Sequence, residues 1–212
     1  IMVKNKITGR GLKGEIKLSP KEKVINYLIE NKEPVSIRQL SGSIVLDYKN
    51  TYNYIGDLVA SGAIVQSVIG NTTPVEINLS PNQDIYSTEN KRTMNFLSKN
   101  PRLRLIQNYI EEIGYPFMIV LIFGSYVKNT KTENSDIDVC IISDNTEKTK
   151  ELHERLNLLS LKLEIHEFTT KEFISMIEKV QKNLGHEIVK NNIILYGIEN
   201  YYNLISKWMK KE

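Results

Sequence analysis

Two apolar runs of strand length dominate the pattern. Phe117 to Phe123 is unbroken, and a second run opens Asp136-Ile137-Asp138 and continues through Val139 to Ile142. A run without polar interruption reads as a strand buried on both faces. In the second, strand alternation sends Asp136, Asp138, Cys140 and Ile142 to one face and Ile137, Val139 and Ile141 to the other. Beyond it, Leu152, Leu156 and Leu159 recur at helical spacing, predicting a helix over about 146–159. Leu161 to Phe168 reads as a third strand, with Leu163 and Ile165 on one face and Glu164 and His166 on the other. Phe173, Ile177, Val180 and Leu184 predict a further helix reaching Gly185, and Tyr201, Leu204, Ile205 and Trp208 a terminal one.

The first third has a different rhythm. Ser19-Pro20-Lys21-Glu22 is a capping box with proline at the first helical position, and Val24, Ile25, Leu28 and Ile29 follow at helical spacing. A short helix capped by Ser36 should follow, then one from Asp47 or Tyr48 to the Ser61-Gly62 stop. Two β-branched runs, 63–69 and 74–79, flank Gly70-Asn71-Thr72-Thr73 and predict a hairpin. A polar, proline-containing segment at 81–88 reads as a linker. The domains expected are therefore 1–80 and 89–212, the second opening with helices over 87–97 and 101–112.

Composition adds little except at two points. The chain of 212 residues, 41% hydrophobic and 25% charged, is ordinary for a soluble globular protein. No apolar run approaches the length of a membrane span, so no membrane partner is expected. A lone cysteine, Cys140, excludes an internal disulfide and fits a cytoplasmic location. The net charge of +3 is concentrated in the first 80 residues, chiefly in an arm carrying Lys4, Lys6, Arg10, Lys13 and Lys17 against Glu15. That arm suits contact with a polyanion.

Asp is depleted in strands, so two at the head of a buried one need a reason. Residues two apart on a strand lie roughly 6.6 Å apart, where two carboxylates repel by about 2.5 kcal/mol at an effective dielectric near 20. A cation between them removes that cost. Mg²⁺ fits, because it takes hard oxygen ligands and is commonly held by one or two carboxylates together with substrate phosphates. Gly124 lets the backbone turn and approach a ligand closely, while Ser125 offers a hydroxyl and an N–H to phosphate oxygens. Lys128, one turn on, adds positive charge.

Gly124-Ser125, ten residues, then Asp136-Ile137-Asp138-Val139 resembles the signature of the DNA polymerase β-type nucleotidyltransferase superfamily. The likeness is to its minimal branch, which includes antibiotic nucleotidyltransferases and the partners of HEPN toxins, and it extends over roughly residues 90–200. It implies an α/β fold with a mixed sheet flanked by helices and a nucleotide triphosphate, ATP, as substrate. It further implies one or two Mg²⁺ ions on Asp136 and Asp138. Glu164 occupies the slot of the family's third carboxylate, as metal ligand or base, with Glu167 as its rival. The acceptor it suggests is a hydroxyl on a HEPN-type toxin protein or an RNA.

Residues 1–80, three helices followed by a hairpin, resemble a winged helix-turn-helix. That likeness places Arg38, Lys49, Asn50, Tyr52 and Asn53 at a DNA contact. A rival reading is a transcriptional regulator whose nucleotidyltransferase fold only senses a nucleotide or serves as an antitoxin-type binding module. The apolar side of the terminal helix packs on its own domain or on a second copy, as in a homodimer.

Overall fold

The structure, a computed structural model, describes residues 15–209 apart from 69, 71, 129, 133 and 134. Lys4, Lys6, Arg10 and Lys13 of the arm, Asn71 at the hairpin tip and the side chain of Trp208 therefore lie outside the described residues.

Helix α1 (Pro20–Asn31) starts as the capping box requires. The Ser19 side chain accepts from the Glu22 N–H, the Glu22 carboxylate accepts from the Ser19 N–H, and Val24, Ile25, Leu28 and Ile29 are buried. Helix α2 (Ile37–Ser43) and helix α3 (Tyr48–Ala60) are capped by Ser36 and Asp47. An antiparallel pair follows, β1 (Ile64–Gln66) with β2 (Val75–Ile77), and Val35 adds a single bridge to Val75.

The segment read as a linker is largely helical. Helix α4 (Gln83–Lys99) begins there, because Asn82 caps it and Ile85 and Tyr86 supply buried positions that a solvated linker would not have. The sequence pattern missed this start by weighing the polar residues over those two. Further along, α4 is joined to the sheet by polar contacts. Glu89 and Arg92, both buried, form a salt bridge at 2.8 Å. Arg92 also donates to the carbonyl of Asn192, Thr93 donates to that of Ile194, and the Tyr202 hydroxyl donates to Glu89.

After a 3₁₀ turn at Pro101–Leu103 come α5 (Arg104–Ile113) and β3 (Ile119–Phe123), every residue of which is buried. Then follow β4 (Ile137–Ile142), α6 (Thr146–Asn157), β5 (Leu163–Phe168), α7 (Thr170–Ile177), α8 (Leu184–Lys190), β6 (Asn192–Tyr196) and α9 (Ile198–Met209). The four-stranded sheet runs β5-β4-β3-β6. The β4/β5 pair is parallel and the other two pairs are antiparallel, so the sheet is mixed and flanked by helices.

Its two faces serve two cores. Ile119, Leu121, Phe123, Cys140, Ile142 and Ile194 join a cluster that runs through α7, α8 and α9 into the three N-terminal helices. Val120, Ile122, Ile137, Val139 and Ile141 pack instead with Ile106 and Ile110 of α5 and Leu152 and Leu156 of α6. Alternation along β3 and β4 sorts them as the sequence pattern requires.

The helix expected to reach Gly185 is two helices. Helix α7 stops at Ile177, Val180 is fully exposed, and Asn183 caps α8 through the His186 N–H. Gly185 serves close packing instead of termination: a Cβ there would stand 3.0 Å from both Ile177 and Met176. No helix among the described residues is long and apolar enough to cross a membrane.

Removing one partner of a buried ion pair strands the other charge. Glu89→Ala should therefore destabilise the fold by about 3–5 kcal/mol in urea unfolding. A loss under about 1 kcal/mol would show that the pair does not hold α4 to β6.

Candidate active site

Strand pairing assembles the site at one end of the sheet. Antiparallel pairing sets the last residue of β3, Phe123, opposite Asp138, and parallel pairing sets Glu164 opposite Asp138 and His166 opposite Cys140. The chain leaves β3 through a 3₁₀ turn at Gly124–Tyr126. Gly124 has φ +70°, and a Cβ on it would fall 1.9 Å from Asp138 Oδ2. Glycine is thus required twice over, by a left-handed backbone and by a carboxylate standing where a side chain would be. The Ser125 backbone N–H lies near enough to favour the charged form of that carboxylate, so the turn and the acid are one unit.

One ligand atom each from Asp138, Glu164 and His166 lies within 4.8 Å of the other two. His166 Nε2 is 3.4 Å from Glu164 Oε1, and the imidazole lies against the Phe123 ring, centroids 5.4 Å apart. Asp138 is half-buried, while the Glu164 side chain is 60% exposed. Desolvation first, then the charge of Glu164, raise the Asp138 pKa above its ordinary 3.8; His166 opposes them, Glu187 adds a lesser upward push, and the Ser125 N–H a lesser downward one. A carboxylate held at this cost without a counter-charge is what a divalent cation would relieve. The donor set fits one: two carboxylates at the sheet rim, open on the solvent side.

The expected site residues divide accordingly. Gly124, Ser125, Asp138 and Glu164 come together. Lys128 lies close by but is engaged, its ammonium 2.6 Å from Glu187 Oε1 of α8. Asp136 is exposed just ahead of β4, outside the 4.8 Å group. Glu167 points to the opposite face, where it pairs with His153 of α6. Of the two candidate third carboxylates, only Glu164 belongs to the cluster. Cys140 is buried among apolar neighbours, and burial pushes its thiol far up, as a packing residue rather than a nucleophile. Two groups near Asp138 lie outside the expected site residues. His166 shares Glu164's face by alternation and was in that sense visible, whereas Glu187 arrives from a distant helix and carried no signal.

Beside the turn lies a cavity of about 400 Å³. Tyr126 and Val127 line it together with Arg92, Asn95 and Phe96 of α4 and Lys190.

Residues 106–201, just under half of the chain, match the model of the polymerase beta nucleotidyltransferase family. A "Putative protein adenylyltransferase" of Methanocaldococcus jannaschii is 26% identical over 98 residues, covering 44% of this chain and 70% of its own length. No solved structure gives a significant match. The two matches support a nucleotidyltransferase enzyme, and the matched segment is the one that carries the Gly124 turn and the Asp138 strand.

Because the folded pKa of Asp138 is raised, the native state keeps a proton that the unfolded chain has already released, and its stability falls as pH rises through that interval. Asp138→Asn removes the penalty. In chelator, its melting temperature at pH 7 should exceed that of the wild type, and the gain should vanish as pH drops below about 4. A wild type at least as stable at pH 7 would contradict this account of the site.

Proposed function

We propose that the protein is a Mg²⁺-dependent adenylyltransferase that moves AMP from ATP to a hydroxyl acceptor, with the N-terminal helices and hairpin as a winged helix-turn-helix for targeting or autoregulation. The observation that carries this reading is the union of turn and acid, with the Gly124 backbone against the Asp138 carboxylate and Glu164 alongside. Such a rim suits a triphosphate and its counter-ion.

Asp138 and Glu164, joined by Asp136 from the same face of the strand, would hold the ion. Bound Mg²⁺ would supply charge neutralisation at the triphosphate and at the departing pyrophosphate. The Ser125 hydroxyl and the Gly124 turn would grip the outer phosphates, and Lys128 would join them on leaving Glu187. In the transfer, the acceptor oxygen bonds to the α-phosphorus, the bond from that phosphorus to the bridging oxygen breaks, and pyrophosphate departs. The hydroxyl proton passes to Glu164. The cavity beside Tyr126 gives room for the nucleoside or for the acceptor's approach.

A protein hydroxyl is the favoured acceptor, because the Methanocaldococcus relative is named as a protein adenylyltransferase. A HEPN-type toxin is the partner proposed, with an RNA hydroxyl as the competing acceptor. Arg38, Lys49, Asn50, Tyr52 and Asn53 are all exposed, the last four on α3, as a recognition helix requires. A cytoplasmic setting and a homodimer complete the proposal.

Incubation with α-labelled ATP, Mg²⁺ and candidate proteins or RNAs should label the acceptor. Asp138→Asn should cut labelling by at least ~10²–10³-fold, the usual loss when a group that stabilises developing charge is removed. Labelling that survives the joint Asp136→Asn and Asp138→Asn change would remove these residues from the chemistry.

The DNA role has its own test. In an electrophoretic shift with promoter DNA of its own gene, Lys49→Ala should weaken binding and lower the salt slope by about 1. A shift that is absent, or indifferent to Lys49 and Tyr52, would leave the module as a protein-docking unit.

A further inference from the structure

We infer that His166 is itself a metal ligand, and that the rim therefore holds a first-row transition dication in preference to Mg²⁺. The inference keeps the adenylyltransferase reading and its placement of the ion at Asp138 and Glu164, on which it rests, and replaces Mg²⁺ as the preferred ion. Three observations carry it.

The first is spacing. Two neighbouring ligands each about 2.1 Å from an octahedral ion stand about 3.0 Å apart. His166 Nε2 and Glu164 Oε1 are 3.4 Å apart, and both lie within 4.8 Å of the Asp138 ligand atom. A contraction of a few tenths of an ångström brings His166 and Glu164 to ligand spacing, and the Asp138 atom, within 4.8 Å of the others, is in reach of the same ion by a side-chain adjustment.

The second is fixation. His166 sits on the same strand as Glu164 and points to the same face. Its side chain is only 23% exposed and its ring rests on Phe123, the residue opposite Asp138. The imidazole is held at the carboxylates by strand pleat and by an aromatic contact, so ligation costs little additional side-chain ordering.

The third is donor chemistry. Mg²⁺ favours an all-oxygen shell and keeps several waters, whereas imidazole nitrogen suits the first-row transition ions. Replacing one oxygen by nitrogen shifts selectivity toward those ions. Mn²⁺ is the weakest binder of that series, so a preference for Mn²⁺ over Mg²⁺ is the most demanding form of the claim.

The full chain, stripped of metal, would be titrated with Mn²⁺ while the free-ion paramagnetic resonance signal is followed, and Mg²⁺ affinity read by competition. Wild type should bind Mn²⁺ at least about tenfold more tightly than Mg²⁺, and spin-echo spectra should show nitrogen coupling to the bound ion. His166→Ala should abolish that coupling and weaken Mn²⁺ binding by about 10–100-fold, the scale on which metal-site partners act. Its Mg²⁺ affinity should change far less. His166→Gln preserves size and guards against a merely local collapse, with circular dichroism confirming the fold of both variants.

Absence of nitrogen coupling, or an equal loss for both ions, would overturn the proposal and reduce His166 to a charge partner of Glu164. Asp138→Asn separates the two layers of inference. Mn²⁺ binding that survives in Asp138→Asn would place the ion elsewhere and sink the wider reading as well. Binding lost in Asp138→Asn but without nitrogen coupling in wild type would sink only the role of His166.

Discussion

The contact on which the site depends is that of the Asp138 carboxylate with the backbone of Gly124. An acid at the mouth of a buried strand, desolvated and facing a second acid, is unfavourable in an empty protein, and the raised pKa of Asp138 records this. The rest of the fold keeps the acid there regardless. β3 and β4 are buried along nearly their whole length and belong to two cores at once, so neither can slide to relieve the repulsion. Stability invested in packing maintains a local cost that has meaning only in the presence of a ligand.

The N-terminal helices are part of that scaffold. Their apolar residues are continuous with the core under β3 and β4, and α4, which leads into the transferase segment, carries a buried ion pair that reaches the start of β6. The first residue of β6, Asn192, lies opposite Phe123, next to the Gly124 turn. The N-terminal helices and the rim are thus joined through continuously buried elements.

Much of the fold was legible because its signals were local. The capping box at Ser19, the unbroken run of β3 and the alternation of β4 each determine their element within a few residues. Sequence pattern failed where long-range packing decided. Ile85 and Tyr86 carry a helix into a polar stretch because a core awaits them, and Val180 is exposed although its spacing fits a buried face. At the site, alternation alone put Glu164 on one face with His166 and sent Glu167 to the other. It could not show that parallel register sets Glu164 beside Asp138 and leaves Asp136 outside the tight group, since pairing between strands is not written in either strand separately.

The parallel alignment of β4 with β5 has a consequence for how such a centre can change over time. Side chains on a pleated strand return to the same face only every second residue, so β5 can shift against its neighbour usefully only in steps of two. One such step would bring His166 level with Asp138 and exchange an oxygen for a nitrogen at the same point in space. Lengthening or shortening the crossover through α6 would then change which side chain stands level with Asp138 in whole steps, with no gradation between them.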